Sequence, residues 1–298
     1  MGCAALAQVA PANAFAAPGD KFTVLKEGFD HVPLSRVNLW PSRFAFQRAE
    51  NLVATDEIVI TDRWFNDSFG HFAINKLRCA FVDNLPLGPV DLKGRVSCTW
   101  RDVGSDSDGQ RLDASVVIDH IHIGYDSLSK GQTNVAIVQA TTGLSLCSET
   151  TSDQEGVNSK AAGRPVRQRV TFAFTRPDGS PMKGQINFCL RDLDVYTSDL
   201  RADYAEGITV LSGFGDKVWL SADTTVSANP KTGLIKTGST DPKWNDPDTH
   251  RSQAFILASP NFSFEWQGSN CGTGVFSTLQ AANGRGGATK APERANWL

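Results

Sequence analysis

Apolar residues along most of this chain recur with a period of two. Val170, Phe172 and Phe174 alternate with Arg169, Thr171 and Ala173, and Ile186, Phe188 and Leu190 alternate with Asn187, Cys189 and Arg191. Successive side chains of a strand point to opposite faces, so each run predicts a strand with one packed and one wetter face, as antiparallel sheets have. Similar runs rich in Val, Ile, Phe, Thr and Trp recur from DEIVITD at 56–62 to GVFSTL at 274–279, divided by Gly, Pro, Asn and Asp. Among them GITVLSG and DKVWLSADTTV predict a hairpin over 207–226, and NFSFEW and GVFSTL predict another through QGSNCGTG at 267–274. Helical periodicity is thin, with short candidates only at 41–52 and 198–205. The expected fold is all-β: an antiparallel β-sandwich, jelly-roll-like, in one or two sandwich units, with little helix.

At 298 residues the chain makes one large domain or two small ones. The polar, non-periodic stretch 148–166 is the best boundary. It divides an N-terminal β-rich domain, 17–150, from a C-terminal β-sandwich domain, 166–280, which is followed by a Gly/Ala-rich flexible tail, 281–298. Residues 1–16 carry no charged side chain and end on Ala14-Phe15-Ala16, the A-x-A triplet of signal-peptidase cleavage. They predict a cleavable leader and a secreted or cell-surface protein, although the basic n-region of such leaders is missing. The same leader resembles plastid-directed presequences of algae with complex plastids. Met1-Gly2-Cys3 opens a lipid-anchor pattern, but Leu6 stands where that pattern has Ser or Thr. No later stretch reaches the run of about 18 apolar residues that a transmembrane helix needs. The 29 basic and 32 acidic side chains, net charge −3, give no basic footprint for a nucleic-acid partner.

An exported chain would meet an oxidising compartment, which makes its six cysteines informative. Cleavage after Ala16 removes Cys3 and leaves five: Cys79 and Cys98 lie on successive strand-like runs and predict one disulfide; Cys189 and Cys271 predict a second, long-range one, leaving Cys147 unpaired. Five buried thiols in a reducing compartment are the alternative. Two sequons, at Asn66 and Asn261, are candidate glycosylation sites. Around the second, Phe262, Phe264 and Trp266 share one strand face, so Asn261 falls on the other.

Candidate chemistry is mainly acidic. Asp192 and Asp194, two residues apart at a strand end, share a face, and with Asp199 and Asp203 they supply oxygen ligands suited to calcium. The same residues suit a solvated acidic turn. Asp102, Asp106, Asp108 and Asp113 form a second acidic cluster, without the EF-hand pattern. His120 and His122, in a His-x-His strand, are an alternative metal pair that lacks a local third ligand. Trp64 and Trp244 sit among Asp and Asn in turn-like segments, where exposed rigid aromatics suit a sugar ring or a protein partner.

The run F-x-L-x-D-L-D at 188–194, with F-x-F-x-W at 262–266 and G-x-G-V-F at 272–276, resembles extracellular β-sandwich modules of surface and matrix proteins. The resemblance implies a structural or adhesive role for the C-terminal half. Together these features lead to a secreted or surface-exposed structural or adhesive protein, calcium-stabilised, in an extracellular assembly or oligomer, with a protein or glycan partner. A carbohydrate-binding or carbohydrate-active protein and a metal-dependent β-fold enzyme are the alternatives, since fold alone does not choose among them.

Overall fold

The computed structural model describes residues 18–27, 29–33, 35–40, 43, 49–56, 58, 88–124, 132–140, 143–151, 165–190, 193, 205–238, 250–268 and 271–274. These residues form fourteen strands and two single 3-10 turns, Phe29–His31 and His250–Ser252. The strands are β1 (Thr23–Leu25), β2 (Asn38–Leu39), β3 (Glu50–Ala54), β4 (Val90–Ser105), β5 (Arg111–Ile123), β6 (Gln132–Ala140), β7 (Gly143–Thr151) and β8 (Val166–Thr175), followed by β9 (Ile186–Leu190), β10 (Gly207–Leu220), β11 (Val226–Asn229), β12 (Leu234–Thr237), β13 (Ala254–Gly268) and β14 (Cys271–Gly274). One sheet runs β11-β12-β10-β13-β8-β5-β4-β2, with β3 also on β4, β9 also on β13 and β1 also on β10. A second sheet runs β14-β7-β6. Every pairing is antiparallel except that of β1 with β10.

The alternation read from the sequence sets the inward face. Val166, Val170, Phe172 and Phe174 of β8 and Phe262, Phe264 and Trp266 of β13 are buried, while Asn261 is exposed. Two strands carry this face round into a second layer. The first part of β10, Gly207–Val210, pairs with Phe264–Gln267, and its last part, Val218–Leu220, pairs with Ala254–Ile256, with register shifts between. The bend shows in the rings. Phe188 of β9 is in register with Ile256, yet its ring meets Phe262 at 5.3 Å and Phe264 at 5.5 Å, so β13 folds over β9. Phe214, at the matching bend of β10, meets Phe188 at 5.4 Å and Phe262 at 5.1 Å. Edge-to-face contacts of this kind add to what burial alone supplies.

The inner layer is covered on its other side too. Cys189, Trp219 and Phe255 point away from the main core and pack under Phe29 and Val32 of the N-terminal segment, with the Phe29 and Phe255 rings 4.7 Å apart. Asn187 clamps this strap: its Oδ1 accepts from the Ser35 N–H at 2.8 Å, and its Nδ2 donates to the Pro33 carbonyl at 2.8 Å. All five residues of β9 are consequently buried.

Several sequence expectations change here. The segment 207–220 is one continuous bent strand rather than the two arms of a hairpin, because Gly213 bends the strand instead of ending it. The runs read separately at 252–259 and 261–266 join from Ala254 onward in β13 through Pro260. β14 begins inside the turn expected at 267–274 and pairs with β7, not back on β13. Residues 50–52 of the first helical candidate are strand. Neither expected disulfide forms: Cys98 and Cys189 are buried thiols. Cys98 faces the main core between Val96 and Trp100, and Cys189 lies under the strap, whereas Cys271 is in register with Cys147 in the other sheet. Cys79 lies outside the described residues. The sheet also runs across the boundary expected at 148–166, since β5 and β8 are neighbours from Asp113↔Thr175 to Ile123↔Val166.

Gly213 has φ +75°, and a Cβ there would meet the Asn261 carbonyl oxygen and come 2.7 Å from the Phe262 Cα. Ser259 Oγ shares its one proton between the Gly213 carbonyl at 2.9 Å and the Asn261 carbonyl at 2.7 Å, pinning the two bends together. Gly213→Ala is therefore expected to lower unfolding free energy by about 2–3 kcal/mol, read from urea denaturation with an unchanged m-value.

Candidate functional site

Three connections meet at one end of the main sheet: the β4–β5 turn, residues 106–110; the β8–β9 connection, residues 176–185; and the strap at 33–37. Asp106, with its side chain fully buried, ties the first two together. Its Oδ1 accepts from the Asp108 and Gln110 N–H groups at 2.9 and 3.0 Å, and its Oδ2 accepts from Arg176 Nε and Nη2 at 2.8 and 2.6 Å and from the Lys183 N–H at 3.3 Å. Asp108 extends the knot, with Arg176 Nη2 at 3.0 Å and Lys183 Nζ at 2.8 Å. Burial alone would raise the Asp106 pKa, but the Arg176 guanidinium and the three backbone N–H groups outweigh it and hold the carboxyl at about 2.

Beside this knot lies a small open cleft of about 190 Å³, lined by Pro33, Ser35, Arg36, Ser107, Gly184, Gln185 and Leu257. Pro33 and Leu257 give it an apolar side, and Ser107, Gln185 and Arg36 a polar one. Arg36 is exposed and has no ion-pair partner among the described residues, in contrast to Arg176 and Lys183. Gly184, at φ +102°, keeps this part open: a Cβ would lie 2.9 Å from Val37 Cγ2 and 3.3 Å from Ser107 Cβ. Ser35 Oγ donates to the Gln185 carbonyl and accepts from the Val37 N–H at 2.9 Å, which fixes the strap against the cleft wall.

The outward face of the main sheet carries a row of alternating charge. Arg95, Asp119, Arg169 and Glu265 are successive register partners across β4, β5, β8 and β13. Arg169 grips Asp119 with Nε at 2.6 Å and Nη2 at 3.0 Å, and the carboxylate holds the guanidinium pKa above its ordinary value. Being half-exposed, such pairs order the face more than they stabilise it.

The sequence candidates fall as follows. His120 and His122 do not sit on a regular strand, because β5 bulges between Asp119 and His122 and His120 has φ +50°. Each meets a different carboxylate: His122 Nδ1 is 2.7 Å from Asp91 Oδ1, and His120 Nε2 is 4.0 Å from Asp119 Oδ1. Among the described residues no group of three or more His, Cys, Asp or Glu side chains is arranged to hold a metal ion. The acidic cluster at 102–113 is answered by protein cations: besides the knot, Arg101 Nη1 is 2.6 Å from Asp113 Oδ2 and Arg111 Nη1 is 3.4 Å from Asp102 Oδ2. Asn261 is exposed on β13, on the face opposite Phe262 and Phe264. Asp192, Asp194, Asp199, Asp203, Trp64, Trp244 and Asn66 lie outside the described residues. Sequence reasoning missed Arg36, Arg176 and Lys183; the one available signal was the Arg176-Pro177-Asp178-Gly179 turn, which places a guanidinium at a strand end.

No family model and no curated protein matches the chain. In fold it is similar to the N-terminal domain of the adhesin Sgo0707 of Streptococcus gordonii. The TM-score is 0.51 at 11% sequence identity, over 86% of this chain and 65% of that one. This chain thus spans just under two thirds of the adhesin chain's length, and at that identity the likeness is one of fold: all-β, antiparallel and sandwich-like. Among the described residues no helix is long and apolar enough to cross a membrane.

The Asp106 carboxyl has a folded pKa of about 2, below the ordinary value of about 3.9, so the stability it contributes is present above about pH 4 and is lost as pH falls through about 2. Asp106→Ala should cost about 3 kcal/mol at neutral pH by leaving Arg176 without its buried partner. Urea midpoints measured between about pH 4 and pH 2 should fall less steeply for Asp106→Asn than for the parent chain.

Proposed function

We propose that this chain is a secreted or surface-exposed structural or adhesive protein that engages an extracellular partner through the end of the sandwich where the Asp106 knot braces the cleft. The observation that carries this reading is the arrangement at that end: a rigid, ion-paired frame presents one cation, Arg36, without an ion-pair partner among the described residues, beside an apolar wall. A preorganised frame loses little freedom on binding, which favours recognition by a small area. The sandwich-like fold shared with an adhesin domain supports the same reading, as does the A-x-A leader. A carboxylate or other anionic group on a matrix protein or glycan is the chemistry that suits Arg36.

The test is binding of the purified chain to immobilised matrix proteins and to a glycan array. Binding to one class is expected, weakened about tenfold, or ~1.4 kcal/mol, in Arg36→Glu. No binding on either surface, or binding indifferent to Arg36, would sink the proposal.

Calcium belongs to this reading as a stabiliser, at Asp192, Asp194, Asp199 and Asp203. In support, Leu193 between the first two is fully buried and its N–H donates to the Ser252 carbonyl at 3.2 Å, so that point of the acidic segment is anchored. A site filled only in the folded chain raises stability by about 2.7 kcal/mol when calcium is a hundredfold above Kd. Chelation is then expected to lower Tm, calcium to restore it, and the pair Asp192→Asn with Asp194→Asn to abolish the difference. A Tm indifferent to chelator and calcium rejects the site.

A further inference from the structure

One polar pair sits deep in the sandwich interior, apart from the surface chemistry. Gln168 of β8 faces inward between Val166 and Val170 and is 0% exposed; its register partner on β13, Trp266, is also 0% exposed. Gln168 Oε1, Gln168 Nε2 and Trp266 Nε1 are all buried without a hydrogen-bond partner among the described residues. Two bulges flank this level of the sheet. On β5 the register passes from Asp119↔Arg169 to His122↔Arg167, so His120 and Ile121 together face Gln168. On β4 it passes from Leu92↔Ile121 to Arg95↔Asp119, around Gly94 at φ +129°. Bulges open a ladder locally, and here they do so beside the orphaned amide.

A buried amide with neither end paired is costly, and native interiors answer such groups with a protein partner or with an ordered water making two to four hydrogen bonds. Gln168 offers an acceptor and two donors, and Trp266 a further donor from the adjacent strand. The other inward residues in that row, Ile208 and Ile235, are apolar and fully buried, so a charged guest would be desolvated without compensation. We propose that the Gln168–Trp266 pair is an internal hydration site, holding an ordered water that accepts from Trp266 Nε1 and hydrogen-bonds the Gln168 amide.

Nuclear magnetic resonance on the deuterated, nitrogen-labelled full chain tests this. The Trp266 indole N–H is expected to show an Overhauser cross-peak to water with the sign of a long-lived bound molecule, and Gln168→Leu to abolish it while the indole signal stays in place. Gln168→Met serves the same purpose if the leucine variant does not fold. No such cross-peak in the parent chain, or one that persists undiminished without the amide, overturns the proposal. A high-resolution crystal structure reads the same point directly: density bridging Trp266 Nε1 and the Gln168 amide supports the site, and an amide packed dry against apolar atoms rejects it.

Discussion

Two strands that belong to both layers hold this fold together. β10 and β13 pair along the outer sheet, bend as a couple, and pair again in the inner layer, so the two layers are covalently continuous twice over. The bend depends on backbone lying directly on backbone: Gly213 rests against Asn261 and Phe262, and a single hydroxyl, Ser259, bonds both carbonyls. The phenylalanine cluster fills the angle that the bend creates. Phe172, Phe188, Phe214, Phe262 and Phe264 come from four strands: Phe172 and Phe262 are register neighbours, and the bend brings Phe188 and Phe214 onto Phe262 and Phe264.

Charge in this molecule works as joinery between segments distant in sequence. Asp106 and Arg176 connect two turns seventy residues apart, and the Arg95-Asp119-Arg169-Glu265 row crosses four strands. The two cases differ in energy. The row is half-exposed and screened, whereas the knot is buried, with every Asp106 acceptor direction filled, so removing one partner strands the others. That is why the end of the sandwich bearing the cleft is a firm platform.

Period-two alternation made the class of fold and the inward faces of β8, β9 and β13 legible, because burial of one face is a local property of each strand. Continuity was not legible. A glycine between two apolar runs reads equally as a turn or as a bend, and only the contact of Gly213 with a strand some fifty residues later decides between them. The acidic cluster at 102–113 falls on the turn its spacing suits, but spacing does not say that Arg176 and Lys183 supply its cations. The Cys189–Cys271 pairing was misread because nothing local shows that their two strands belong to different sheets. The period of two places Gln168 on the inward face with Val170, but nothing local says that its amide meets no partner there.

The parallel docking of β1 carries a consequence for how the molecule is made. Thr23 pairs with Lys217, about two hundred residues later, and the strap that follows covers side chains from β9, β10 and β13. The first described strand therefore has no template until β10 exists, and the strap docks only onto strands that have already come together. Until then Trp219, Phe255 and Cys189 form a naked apolar patch on an otherwise finished layer, the kind of surface through which partly folded chains find one another. Assembly of this protein is thus a race between its own N-terminal segment and its neighbours, and the Asn187 clamp marks where the chain wins it.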